Sequence, residues 1–142
     1  MKCRYTKYLL WFMLGAIISL VAYTRFFSEN IADNWQHLHH QAHIALHNEK
    51  YEHVIEICDQ AIKADASSDN RYLMYVKKAK ALNKLHRYEE ALKSADLAVT
   101  IYPKKEEAYL VKVDALFNLG AEEELTATLE EIESINPHTY TS

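Results

Sequence analysis

The sequence predicts an all-α chain: stacked helical hairpins preceded by one apolar N-terminal helix. Three observations carry this. Only two glycines and two prolines occur in 142 residues, too few to punctuate the turns of a β architecture. Small and apolar residues recur at helical spacing, as in "RYEEALKSADLAVTIYP" (residues 87–103), where Ala91, Ala95 and Ala98 share a face and Pro103 ends the helix. That stretch also has counterparts elsewhere in the chain.

The N-terminal helix is read from charge and hydropathy. Residues 1–25 carry four basic and no acidic side chains, whereas the remainder carries 12 basic and 20 acidic ones. Residues 1–7, "MKCRYTK", form a basic N-terminus, and residues 8–23 hold no charge. Extension to Phe27 gives 20 residues, the length that crosses about 30 Å of hydrocarbon. Tyr5, Tyr8 and Trp11, with Tyr23, Phe26 and Phe27, resemble interfacial aromatic belts, and Arg25 can snorkel. The expectation is an uncleaved transmembrane signal anchor over residues 8–27, followed by a linker over residues 28–34. A cleaved leader or a buried soluble helix are the alternatives, although Ala22-Tyr23-Thr24 makes a poor cleavage site. The excess of positive charge before the span predicts a cytoplasmic N-terminus and an exported, periplasmic body, the layout of a bacterial inner-membrane protein.

The body repeats. A forward shift of 34 superposes Tyr75 on Tyr109, Ala91 on Leu125, Ala98 on Ile132 and Pro103 on Pro137. A backward shift of 37 superposes Tyr88 on Tyr51, Ala91 on Val54 and Ala98 on Ala61, the extra residues falling in the polar connection of residues 66–71. Small side chains permit the close approach of antiparallel helices, and larger apolar ones fill the gaps. In the last helix Leu125, Leu129, Ile132 and Ile135 form one stripe against a glutamate-rich back, as suits the end of a stack.

A 34-residue helix pair with this pattern resembles the tetratricopeptide repeat (TPR), in three copies at residues 35–68, 72–105 and 106–139. The second copy matches at Tyr75, Ala79, Leu82, Tyr88, Ala91, Ala95, Ala98 and Pro103. The third matches at Tyr109, Leu116, Gly120, Leu129, Ile132 and Pro137. The first fits at Leu38, Ala42, Ala45, Tyr51 and Ala61, with Ala66 in place of the proline. The resemblance implies an α-solenoid of three hairpins with a concave groove that binds a protein or peptide segment. The groove positions it implies are Gln36, His39, His43, Leu46 and His47; Leu73, Val76, Lys80, Asn83 and Lys84; and Glu107, Leu110, Asp114, Phe117 and Asn118. The family's carboxylate clamp of Lys, Asn and Arg is not reproduced, since His39 and His43 stand at its first positions. Lys80 and Lys84 could still grip one carboxylate, but binding to chaperone C-termini is not expected.

Six histidines crowd residues 37–53. His39, His43 and His47 lie at i, i+4 and i+8, a spacing that offers imidazoles to a metal ion or a pH-dependent charge to the groove. Solvated surface histidines are the plainer reading, and no cofactor is expected. Cys58 falls at an apolar helix position and reads as a small buried hydrophobe. Ser67 and Ser68 read as helix caps. No glycine-rich phosphate loop, nucleophile elbow or H-E-x-x-H pair occurs, which argues against an enzyme. The net acidic body lacks base-stacking aromatics among its lysines, which argues against nucleic acid. The three copies carry two basic against five acidic side chains, eight against three, and one against nine. The functional expectation is a membrane-anchored protein-interaction module, a scaffold, adaptor or chaperone-like factor in envelope assembly, secretion or folding. A homo-oligomeric structural protein and a histidine-based metal or pH sensor are the alternatives.

Overall fold

The computed structural model describes residues 2–64 and 67–137, and every regular element among them is helical. The order is α1 (Lys2–His47), α2 (Tyr51–Ala64), α3 (Ser68–Lys84), α4 (Tyr88–Ile101), α5 (Glu106–Leu119) and α6 (Glu122–Ile135). Two compact units result, Met1–Asn34 and Trp35–Ser142.

In the first unit the membrane expectation is corrected. No helix among the described residues is long and apolar enough to cross a membrane. The run free of charge that ends before Arg25 is shorter than the roughly 20 residues that cross the hydrocarbon. The anchor, the inner-membrane localisation and the exported topology built on it therefore fall together. The segment 28–34, expected as a linker, lies within α1, and it contains no glycine or proline to end a helix. Trp11, Ile17, Leu20 and Phe26 are exposed. The side chains of Cys3, Tyr5, Tyr8 and Phe27 lie outside the described residues, as do Ala66 and residues 138–142.

The second unit is a stack of three hairpins: residues 35–47 of α1 with α2, α3 with α4, and α5 with α6. Each hairpin turns in the same way. Lys50 donates to the carbonyl of Ala45 at 2.9 Å, Arg87 to Leu82 at 2.9 Å and Ala121 to Leu116 at 3.1 Å. Inside each of these bonds lies one that spans three residues instead of five, from Glu49 to Leu46, His86 to Asn83 and Gly120 to Phe117. These nested bonds are the Schellman closure, which requires one left-handed residue. Glu49 (φ 57°), His86 (φ 59°) and Gly120 (φ 69°) supply it, and they are separated by the same 37 and 34 residues as the sequence repeat.

The alanines do what the pattern implied. Ala91, Ala95 and Ala98 of α4 are fully buried. Ala95 and Ala98 join Tyr72, Val76 and Ala79 of α3 and Ala108 and Val111 of α5 in one cluster. Ala91 joins Leu82 and Ala115 in another. The first hairpin has its own core of Leu38, Ala42, Ala45, Val54, Ile57, Cys58 and Ala61, closed by Met74 and Ala81 from α3. Ion pairs tie helices at the surface: Lys78 reaches Asp59 at 2.6 Å, and Lys112 reaches Asp96 at 2.9 Å and Glu124 at 3.7 Å. Burial acts to lower the Lys112 pKa, but its Asp96 hydrogen bond and the surrounding carboxylates outweigh that and raise it.

Two details differ from expectation. Helix α3 takes in residues 68–71, expected as part of a polar connection, while Ser67 is its N-cap as read from the sequence, accepting from the Asn70 amide. In α6 the buried residues are Thr128 and Ile132, while Leu129 remains 47% exposed. The Thr128 hydroxyl donates to the Glu124 carbonyl at 2.8 Å, which allows a polar side chain to face inward without an unmet donor.

Candidate functional site

Helices α1, α3 and α5, with the first residue of α2, bring together a cleft of about 210 Å³ lined by Leu46, Tyr51, Lys80, Asn83, Lys84, Val111 and Asp114. It lies wholly in the second unit. Its floor is apolar, from Leu46, Tyr51 and Val111; its cations are Lys80 and Lys84 on α3; its carboxylate is Asp114 on α5. Lys80 and Lys84 are one turn apart, so helical geometry places both ammonium groups along one side.

Five of the fifteen expected groove residues line the cleft, and Gln36, His39, His43, His47, Leu73 and Glu107 are among those that do not. Lys80, Asn83, Lys84, Asp114 and Leu46 line the cleft. Val76 and Asn83 are buried. Val76 belongs to the core between α3, α4 and α5, a correction to its reading as a groove surface. Asn83 donates from Nδ2 to the Val111 carbonyl at 3.0 Å, so it joins the second hairpin to the third. Its Oδ1 is buried with no protein partner. Leu110, Phe117 and Asn118 are exposed outside the lining, Phe117 the most at 73%. The Asn118 side chain donates back to the Asp114 carbonyl at 2.7 Å.

Tyr51 and Val111 were missed as lining residues. Val111 had a signal: Ala108, Val111 and Ala115 follow i, i+3 and i+7, and all three are buried. Of the α5 positions expected in the groove, Asp114 lines the cleft, whereas Glu107, Leu110, Phe117 and Asn118 do not.

Among the described residues no group of three or more His, Cys, Asp or Glu could hold a metal ion. The rise of an α-helix sets His39 and His47 about 12 Å apart along the axis, against metal–nitrogen bonds of about 2 Å. His43 and His47 are exposed. His39 is half-buried and stacks on Trp35, ring centroids 4.9 Å apart. Burial, then the nearby Lys77 charge, then His43 and His40, lower the His39 pKa. Lys77 is itself drawn down by burial, the largest of several opposed influences. Burial pushes the Cys58 thiol up to about 12, as its reading as an inert hydrophobe required.

Comparison with known proteins places this geometry. Residues 72–105 match the family model of the tetratricopeptide repeat. A protein described as "Protein STIP1 homolog" from Dictyostelium discoideum is 30% identical over 97 residues, 68% of this chain. The matched region spans only 17% of that relative's length. Among solved structures, the first TPR of Spaghetti (RPAP3), bound to the HSP90 peptide SRMEEVD, is similar at a TM-score of 0.68 and 20% identity. That match covers 76% of this chain and 85% of the other. The second TPR domain of human RPAP3, in complex with the HSP70 peptide SGPTIEEVD, is similar at 0.70 and 23% identity, covering 78% and 89%. These matches support the tetratricopeptide repeat family. Residues 72–105 are thus similar to a tetratricopeptide repeat, and about three quarters of the chain shares the all-α fold of these TPR domains.

Proposed function

We propose that the cleft lined by α1, α2, α3 and α5 binds an acidic peptide segment, which makes the chain an adaptor, scaffold or chaperone-like factor. The observation that carries this reading is the pairing of Lys80 and Lys84 with an apolar floor in one cleft. A cavity of about 210 Å³ is smaller than the roughly 300 Å³ at which small-molecule pockets begin. It suits side chains of a segment laid along the helices better than an enclosed metabolite. Lysines one turn apart supply point charges to carboxylates, while Leu46, Tyr51 and Val111 offer contact for an apolar residue between them. The HSP90 and HSP70 peptides held by the similar RPAP3 domains, SRMEEVD and SGPTIEEVD, combine these two chemistries, so this reading departs from the sequence expectation that chaperone peptides are not bound.

The test is fluorescence anisotropy of fluorescein-labelled SRMEEVD titrated with the chain. Lys84 is exposed, so Lys84→Glu leaves the fold intact and should weaken binding about tenfold, equivalent to about 1.4 kcal/mol. Equal affinity in that variant refutes the reading. Asn83 is unsuitable as a probe because its loss severs a buried tie between hairpins.

A further inference from the structure

The cleft already meets a carboxylate from its own chain. Glu107, in the first turn of α5, accepts a hydrogen bond from Lys80 Nζ at 2.6 Å. Both partners remain about half exposed, at 41% and 51%, so water and an incoming ion can reach them. The pair is not the sole tie between α3 and α5: Ala79, Ala108 and Val111 are buried in one cluster, and Asn83 bonds the Val111 carbonyl. Lys84, one turn further along α3, has no ion pair among the described residues. One lining cation is thus engaged and the other open.

We infer that Glu107 is an internal competitor: it occupies the Lys80 subsite until a carboxylate of the bound peptide displaces it. This rests on the peptide-binding reading above and gives that cleft a selectivity. A segment with one acidic residue docks on Lys84 alone and leaves the Lys80–Glu107 pair closed. A segment with two acidic residues about one helical turn apart reaches both lysines and releases Glu107 to solvent. Because exposed ion pairs are weak and screened by salt, the displacement is accessible, and it subtracts from affinity by the strength of the pair it breaks.

The experiment titrates fluorescein-labelled SRMEEVD with the full chain, its Glu107→Gln variant and its Glu130→Gln variant. Glu130→Gln removes the same charge from the exposed back of α6. The competitor predicts binding about three- to fivefold tighter for Glu107→Gln and no change for Glu130→Gln. Unchanged or weaker binding by Glu107→Gln overturns it, and so does equal tightening by both variants, which would reflect net charge alone. If Lys84→Glu weakens binding while Glu107→Gln does not tighten it, the peptide cleft stands and the competitor falls. If neither the native chain nor Glu107→Gln binds, both ideas fall.

Discussion

Glu49, His86 and Gly120 hold equivalent places in three successive hairpins, all with positive φ. Only glycine adopts that backbone without a Cβ penalty, which costs other residues roughly 1–2 kcal/mol. Replacing Glu49 by glycine removes the penalty and returns part of the gain as unfolded-chain entropy. Glu49→Gly should therefore stabilise the body by about 0.5–1 kcal/mol, and Gly120→Ala should cost about 1 kcal/mol. Urea denaturation followed by circular dichroism measures both, and opposite signs for the two substitutions are the diagnostic result. His39 makes a second residue-scale argument. Its folded pKa is depressed, so the unfolded chain takes up a proton first as pH falls. The stability it contributes is full above the unfolded value, near 6.5, and is lost as pH drops below it. His39→Gln should flatten the decline in melting temperature between pH 7 and pH 5.

Among the helices, α4 decides how closely the stack can form. Its buried face is Ala91, Ser94, Ala95 and Ala98, and it packs between α3 and α5. A larger side chain there has no gap to enter, because Tyr72, Val76, Ala108 and Val111 already fill the space. Ala95→Leu should destabilise the body by about 1–3 kcal/mol despite the gain in apolar volume, read as a lowered urea midpoint. An exposed control on the same helix, Leu97→Ala, should change it by less than about 0.5 kcal/mol. The helices were legible because spacing survives in sequence: Ala91, Ala95 and Ala98 mark a face whatever packs on it. The inner face of α5 was less legible. Leu110 and Val111 are adjacent and both aliphatic, so only contact with α3 could say which one turns inward. The fate of residues 28–34 was likewise undecided locally, because a polar composition suits a linker and an exposed helix equally.

At the scale of the body, each hairpin relies on the next. Met74 and Ala81 of the second hairpin close the core of the first, and Ala108 and Val111 of the third cover Tyr72, Val76 and Ala95 of the second. A truncation ending at residue 105 would uncover that cluster. It should lose cooperative thermal unfolding, whereas the complete body melts in one transition, as calorimetry would resolve. Composition and the 34- and 37-residue recurrences were enough, by themselves, to establish three stacked helical pairs, because helix formation and hairpin closure depend on neighbours a few residues apart. They could not establish which groups meet across the stack. Lys80 and Glu107 lie 27 residues apart, and Asn83 and Val111 lie 28 apart. Such pairs are set by how one hairpin rotates on another. Tertiary packing alone decided that Val76 belongs to the core, that Tyr51 and Val111 line the cleft, and that one of its two cations already has a carboxylate.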